Sequence, residues 1–218
     1  MNSNPRICAS IISDNLTLVK MIEPEVDLLE IRQDLIGPDW RHLVKLITKP
    51  WIACNRRQEE GGKAIRDEAR RTAELLEAGE VGASIIDIEY GTPNLIELIP
   101  AIKAKAQCLV SYHDYRATPA LATLVGIVQG QRRAGADICK VVTQARCLQD
   151  NITILKLIRQ SLPLEIIAFA MGDEGRISRI LSPFAGGYLT YASAGNGLES
   201  AAGQIPLAEL KEFYRYLA

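Results

Sequence analysis

The residue most open to chemistry is a lysine inside an apolar run, Gly135-Ala136-Asp137-Ile138-Cys139-Lys140-Val141-Val142. Lysine is almost never fully buried without a partner. Burial disfavours the charged form, so a desolvated amine has a lowered pKa. A neutral amine attacks a ketone and forms an imine. The same lysine, paired to Glu30 or Glu89, also suits a purely structural ion pair.

Other polar residues fall where apolar runs end. Ser111-Tyr112-His113-Asp114-Tyr115 sets a histidine directly after a run, where a general base belongs; a structural histidine is the alternative. Glu30 and Arg32 are two apart and share a strand face, as a site or as an ion pair. The carboxylates of Asp87-Ile88-Glu89 are likewise two apart, in a site or in a structural network. Asn55-Arg56-Arg57-Gln58-Glu59-Glu60-Gly61-Gly62 is a polar strand end or a plain loop before a helix. Arg179, in Gly175-Arg176-Ile177-Ser178-Arg179, holds an anion by a bidentate contact or lies on the surface. The stretch from Tyr191 to Gln204 is rich in glycine and small residues, so it is a mobile lid or a merely flexible loop.

These positions need a frame, and the apolar runs supply one. Short strands are expected over residues 7–11, 28–31, 51–54, 84–88, 108–112, 138–142, 165–168 and 187–190. Most are rich in Ile, Val, Leu or Ala, as parallel strands covered on both faces are. Helical spacing alternates with them over 62–79, including Ala64 and Ile65, and over 119–134, 151–160 and 206–216. Thr118 is the expected cap of the second helix, with Pro119 in its first turn. Eight strand–helix units in 218 residues predict a compact (β/α)8 TIM barrel, residues 1–218 forming one domain. No GxGxxG or GxxxxGK[ST] run supports an open nucleotide-binding sheet. In a barrel, chemistry sits at the C-terminal ends of the strands, which is where the polar residues fall.

Composition narrows the classes. Apolar residues are 48% and charged residues 23%, with a net charge of −1. Neither nucleic acid nor an anionic membrane is expected as a partner. No apolar run approaches the ~18 residues of a membrane span, and the start of the chain has no secretory pattern. The five cysteines form no CxxC pair and suit buried free thiols in a reducing cytoplasm. Two histidines, His42 and His113, are too few for a histidine-based metal site, and His42 reads as a surface helix residue.

Seven of these segments, in order, resemble the type I 3-dehydroquinate dehydratases: Glu30-Ile31-Arg32, Glu60-Gly61-Gly62, Asp87-Ile88-Glu89, Ser111-Tyr112-His113-Asp114, Gly135 to Lys140, Met171-Gly172 with Ser178-Arg179, and Ser200-Ala201-Ala202-Gly203-Gln204. The resemblance implies an imine between Lys140 and 3-dehydroquinate, with His113 as general acid and base and Glu60 orienting it. It implies that Ser10, Glu30, Arg32 and Arg56 hold substrate hydroxyls or neighbouring charges. Arg179 would bind the substrate carboxylate, Ser200 and Gln204 would close from the lid, and Phe169 and Met171 would form apolar wall. It implies 3-dehydroshikimate as product, no metal or organic cofactor, and a cytoplasmic homodimer. Two rivals make other predictions. A class I aldolase would cleave a phosphosugar, although Gly186-Gly187 lies at the start of the last strand rather than after it. A silent carboxylate-binding barrel would need no His113 and Lys140 together.

Overall fold

A computed structural model describes residues 5–63 and 67–217. Eight strands follow the alternation read from the sequence: β1 (Ile7–Ile11), β2 (Leu28–Arg32), β3 (Trp51–Cys54), β4 (Ile85–Glu89), β5 (Gln107–Asp114), β6 (Ile138–Gln144), β7 (Glu165–Met171) and β8 (Thr190–Ser193). All pair in parallel, in the order β7-β6-β5-β4-β3-β2-β1-β8, and a two-residue strand β9 (Ile205–Pro206) adds to β8. Tyr188 N–H, just before β8, donates to Ile166 O of β7 at 2.7 Å. That bond joins the two ends of the curled sheet and makes it a barrel.

Helices cover the outside: α1 (Leu16–Ile22), α2 (Gln33–Ile36), α3 (Trp40–Leu43), α4 (Glu68–Glu80), α5 (Leu95–Lys103), α6 (Leu121–Ala134), α7 (Leu148–Ser161), α8 (Arg176–Leu181) and α9 (Leu207–Leu217). Local chemistry sets their ends. Asp67 caps α4 by accepting from Arg70 N, and Asp150 reaches back to the Cys147 N–H at the start of α7. Gly135 stops α6 with φ +111°, a conformation L side chains rarely adopt.

Three expectations need correction. The last strand begins three residues later than predicted, because Pro183 to Gly187 is tied into turns by N–H bonds from Ala185, Gly186 and Gly187 back to Ser182 or Pro183. Helix α6 begins at Leu121 with Ala120 as its cap residue. Thr118 instead pairs with Thr143 Oγ1 at 2.8 Å and donates to Gln144 O, which fastens the loop after β5 to the end of β6. The helix expected over 62–79 starts at Glu68, and Ala64 and Ile65 of that expectation lie outside the described residues.

The period of two along each strand sorts the barrel interior. One inward residue per strand builds an apolar floor: Cys8, Leu28, Ile52, Ile85, Leu109, Ile138, Ile167 and Leu189, all buried. A buried side chain of this size contributes roughly 1.5–3 kcal/mol. Two residues further along, the same face carries Ser10, Glu30, Cys54, Asp87, Ser111, Lys140, Phe169 and Tyr191. The change from apolar to polar within one step marks where packing ends and the site begins. Residues of opposite parity, such as Ala9, Ile31, Val110, Val141 and Ala168, face outward into a second core under the helices.

Candidate active site

Lys140 stands in the middle of β6, and its side chain is 5% exposed. Nζ donates to Asp87 Oδ2 at 2.9 Å, to Tyr191 OH at 3.2 Å and to Glu30 Oε1 at 3.5 Å. Burial pulls the ammonium pKa down, but the Asp87 and Glu30 carboxylates outweigh it, and the net shift is upward. This corrects the expectation of a lowered lysine pKa from desolvation alone. The resting amine is a clamped ammonium.

Asp87 is the hub of that clamp. It also accepts from Arg56 Nη2 at 2.5 Å and from Ser111 Oγ at 2.6 Å. Burial raises its pKa, but Arg56 and Lys140 outweigh that and hold it far below the usual carboxylate range. Arg56 reaches on to Glu89 Oε1 at 3.1 Å, and Arg71 Nη1 grips Glu89 Oε2 at 2.7 Å from α4. Alternating charges thus run from the helix layer to the barrel axis, each buried ion facing a counter-ion. Of the two alternatives for Glu30 and Arg32, the ion pair between them is not made. Glu30 accepts from Ser10 and Lys140, whereas Arg32 forms a bidentate pair with Asp34 at 2.9 and 2.7 Å.

His113 sits near the end of β5. Its Nδ1 is 2.8 Å from Glu60 Oε2, and its backbone N–H donates to the same oxygen at 3.1 Å. Burial, helped by Arg56 and Lys140, pushes the imidazole pKa well below its ordinary value. A neutral ring whose Nδ1–H donates a hydrogen bond to Glu60 leaves the Nε2 lone pair for the pocket. Burial raises Glu60 to about 7.

The two glycines after Glu60 have a steric reason. Gly61 has φ +86°, and a Cβ there would meet the Tyr115 hydroxyl, which donates to Glu60 O at 3.0 Å. A Cβ on Gly62 would lie 1.9 Å from the Arg56 carbonyl oxygen. The pair lets the loop fold tightly enough to hold Glu60 against His113.

Arg179, on α8, is 1% exposed and has no carboxylate partner among the described residues. Its guanidinium lies 4.3 Å from the Phe169 ring centroid, Nη2 donates to Ala202 O at 3.3 Å, and Nε has no partner. Burial lowers its pKa to about 9, which still leaves a cation at neutral pH. A buried, unpaired arginine is costly, and an anionic ligand would satisfy it.

The segment after β8 reaches the pocket through Gln204. Gln204 Nε2 donates to Ser10 Oγ at 3.1 Å, and its Oε1 accepts from Ser200 N and Oγ at 2.7 and 3.1 Å. Gly203 (φ +73°) permits this docking, since a Cβ would lie 2.2 Å from Gly172 O.

Lys140, His113, Glu60, Ser10, Glu30, Arg32, Arg56, Arg179, Ser200 and Gln204 therefore line one pocket of about 50 Å³, with Phe169 and Met171 in its wall. Ligand atoms of Glu30, Cys54 and Asp87 lie within 4.8 Å of one another. Both carboxylates already hold Lys140, and Asp87 holds Arg56 as well, so the group is organised around fixed cations.

The type I 3-dehydroquinase family model matches residues 7–218. The chain belongs to this family. Such enzymes are hydro-lyases. Among curated relatives, the 3-dehydroquinate dehydratase of Dehalococcoides mccartyi is 44% identical over 186 residues, 85% of this chain and 84% of that protein. That of Coxiella burnetii is 34% identical over 226 residues, 99% and 94% of the two chains. The 3-dehydroquinate dehydratase structure from Geobacillus kaustophilus superposes with a TM-score of 0.87 at 26% identity, covering 99% of this chain and 92% of that one. The Clostridium difficile type I enzyme, solved with a covalently modified comenic acid, gives 0.88 at 23% identity, covering 99% and 93%, and shows the shared fold.

The sequence gives little sign of what three residues around Lys140 and Glu60 do. Asp87 was visible only as one of a carboxylate pair, with no hint that it is the hub. Tyr191, expected to open the lid, instead lies in β8, and only three-dimensional placement shows its hydroxyl and that of Tyr115 turned to Lys140 and Glu60. His42 is exposed on α3, as expected, and Cys8, Cys54, Cys108 and Cys139 are buried free thiols while Cys147 is exposed. No described helix is long and apolar enough to cross a membrane.

Proposed function

We propose that this chain converts 3-dehydroquinate to 3-dehydroshikimate and water through an imine on Lys140. The observation that carries this reading is one pocket joining a buried lysine amine, a neutral histidine braced by a carboxylate, and a buried arginine with no anion of its own. The substrate ketone condenses with Lys140. Its carboxylate is held by Arg179, and Ser10, Glu30, Arg32 and Arg56 receive hydroxyls or balance charge. The imine withdraws electrons from the adjacent carbon, so His113 Nε2 removes a proton there. The resulting imidazolium returns the proton to the departing hydroxyl as water, and hydrolysis of the imine frees the product. Glu60 keeps the imidazole in the required tautomer and orientation. Phe169 and Met171 limit water near the imine, and Ser200 with Gln204 covers the substrate from the lid.

Names of relatives at 44% and 34% identity, over most of both chains, support the substrate. The family match over 7–218 supports reading the chain as one catalytic domain. A cytoplasmic homodimer rests on the family resemblance alone. The test is turnover: 3-dehydroquinate should be consumed with appearance of the conjugated enone absorbance of the product, with no metal added. Cleavage of a phosphosugar with dehydroquinate left intact would instead favour the aldolase reading.

A further inference from the structure

The Tyr191 hydroxyl is placed where the imine reading needs a proton carrier. It accepts from Lys140 Nζ at 3.2 Å, and Nζ lies 4.4 Å from the ring centroid. Tyr191 is 3% exposed, and its ring packs edge-on against Phe169, with centroids 5.8 Å apart. Its position in β8 is fixed by pairing with Cys8 of β1. Among the described residues, this hydroxyl accepts from Lys140 and donates to none, so no side chain or backbone group there holds its proton. Tyr191 also lines the pocket. Burial and the nearby Glu30 carboxylate raise its pKa well above the ordinary value, so it stays a phenol.

We infer that Tyr191 is a further catalytic residue, one that relays a proton from the Lys140 nitrogen to the substrate carbonyl oxygen as the imine forms. The inference rests on the imine reading above. Glu30, which faces Nζ at 3.5 Å, takes one proton from the resting ammonium. The free amine then bonds to the ketone carbon, and the carbonyl π pair moves to oxygen. Tyr191 gives its proton to that oxygen and receives one from the now cationic nitrogen, which leaves a neutral carbinolamine and an unchanged phenol. The nitrogen lone pair next forms the C=N bond as the C–O bond breaks. The oxygen departs as water, carrying the proton that Glu30 returns. Ammonium and ketone have become iminium and water, with no net change in protons. One hydroxyl that touches the nitrogen and still has a proton to give suits this transfer, because both atoms it serves are bound to the same carbon.

The test is Tyr191→Phe, which keeps the ring and removes only the hydroxyl. Full-length wild type and variant are mixed with 3-dehydroquinate, quenched with borohydride at successive times, and the Lys140 adduct is quantified by peptide mass spectrometry. The relay predicts that adduct builds up about 10²-fold more slowly in the variant, the lower end of general acid–base effects. It also predicts that solvent deuterium exchange at the carbon beside the preformed imine is unchanged. Adduct formation at the wild-type rate overturns the relay and leaves the imine reading standing. Equal slowing of both steps overturns it too, since that pattern marks a displaced Lys140. Absence of any wild-type adduct on Lys140 overturns the imine reading itself, and the relay with it.

Discussion

Lys140 Nζ lies 2.9 Å from Asp87 Oδ2, an oxygen that also accepts from Arg56 at 2.5 Å. One carboxylate therefore sets the charge of the amine proposed to react. Asp87→Asn removes the anion while keeping an oxygen acceptor. Burial then acts on Lys140 without its strongest opposing charge, so the amine pKa falls. The rate of borohydride-trapped adduct formation should reach its plateau at lower pH than in wild type. A profile that does not move would show that Asp87 does not govern the amine. The variant is expected to be less stable by about 3–5 kcal/mol, because Arg56 loses a buried partner.

Glu60 and His113 form a coupled pair, and its titration should shape the pH profile. Glu60 is raised to about 7 by burial, while the imidazole is held well below its ordinary value. As pH falls through about 7, Glu60 gains a proton and no longer accepts the Nδ1 proton that keeps Nε2 free. The acid limb of kcat/KM should fall there as a property of the pair. Glu60→Gln should move the limb to lower pH and reduce the rate. A limb that stays put would separate Glu60 from the titration. The same shift links to stability with a definite sign. A carboxyl whose folded pKa is raised disfavours folding increasingly as pH rises from about 4.5 through about 7. Thermal melts should therefore favour Glu60→Gln above pH 7 and show no such gap near pH 4.

Arg179 offers a contrast with Arg56. Arg56 is matched by Asp87 and Glu89, whereas Arg179 has no carboxylate partner among the described residues. Arg179→Met retains an unbranched apolar stem against Phe169 and removes the charge. KM for dehydroquinate should rise by about 10- to 100-fold, the scale of a charge-assisted hydrogen bond of ~1.5–3 kcal/mol. The melting temperature should not fall as it does when a buried pair is broken. An unchanged KM would place the substrate carboxylate elsewhere.

The barrel was readable because its signals are local. A run such as Ile138-Cys139-Lys140-Val141-Val142 shows both its strand character and the polar residue that breaks it. Strand ends were less readable where glycine and apolar residues also form turns, as at Pro183 to Gly187. For Lys140 the sequence offers both a desolvated amine and a lysine paired to Glu30 or Glu89, and it does not decide the sign of the shift. That sign depends on Asp87 and Glu30, 53 and 110 residues away in the chain, and on how closely the barrel brings them. Tyr191 is obscured for a related reason: at the head of a glycine-rich stretch it reads as the start of a lid, and its place in β8 beside an amine depends on pairing with β1.

The central claim is a covalent imine at Lys140, and borohydride trapping with 3-dehydroquinate tests it most directly. Wild type should yield a substrate-dependent adduct located by peptide mass spectrometry on Lys140. Lys140→Ala should give none and should not turn over, while keeping its fold. His113→Ala should still give the adduct while dehydrating about 10²–10⁴-fold more slowly, as expected for loss of a general acid–base group. An unlabelled Lys140 in wild type, or near-normal turnover by Lys140→Ala, would contradict the account.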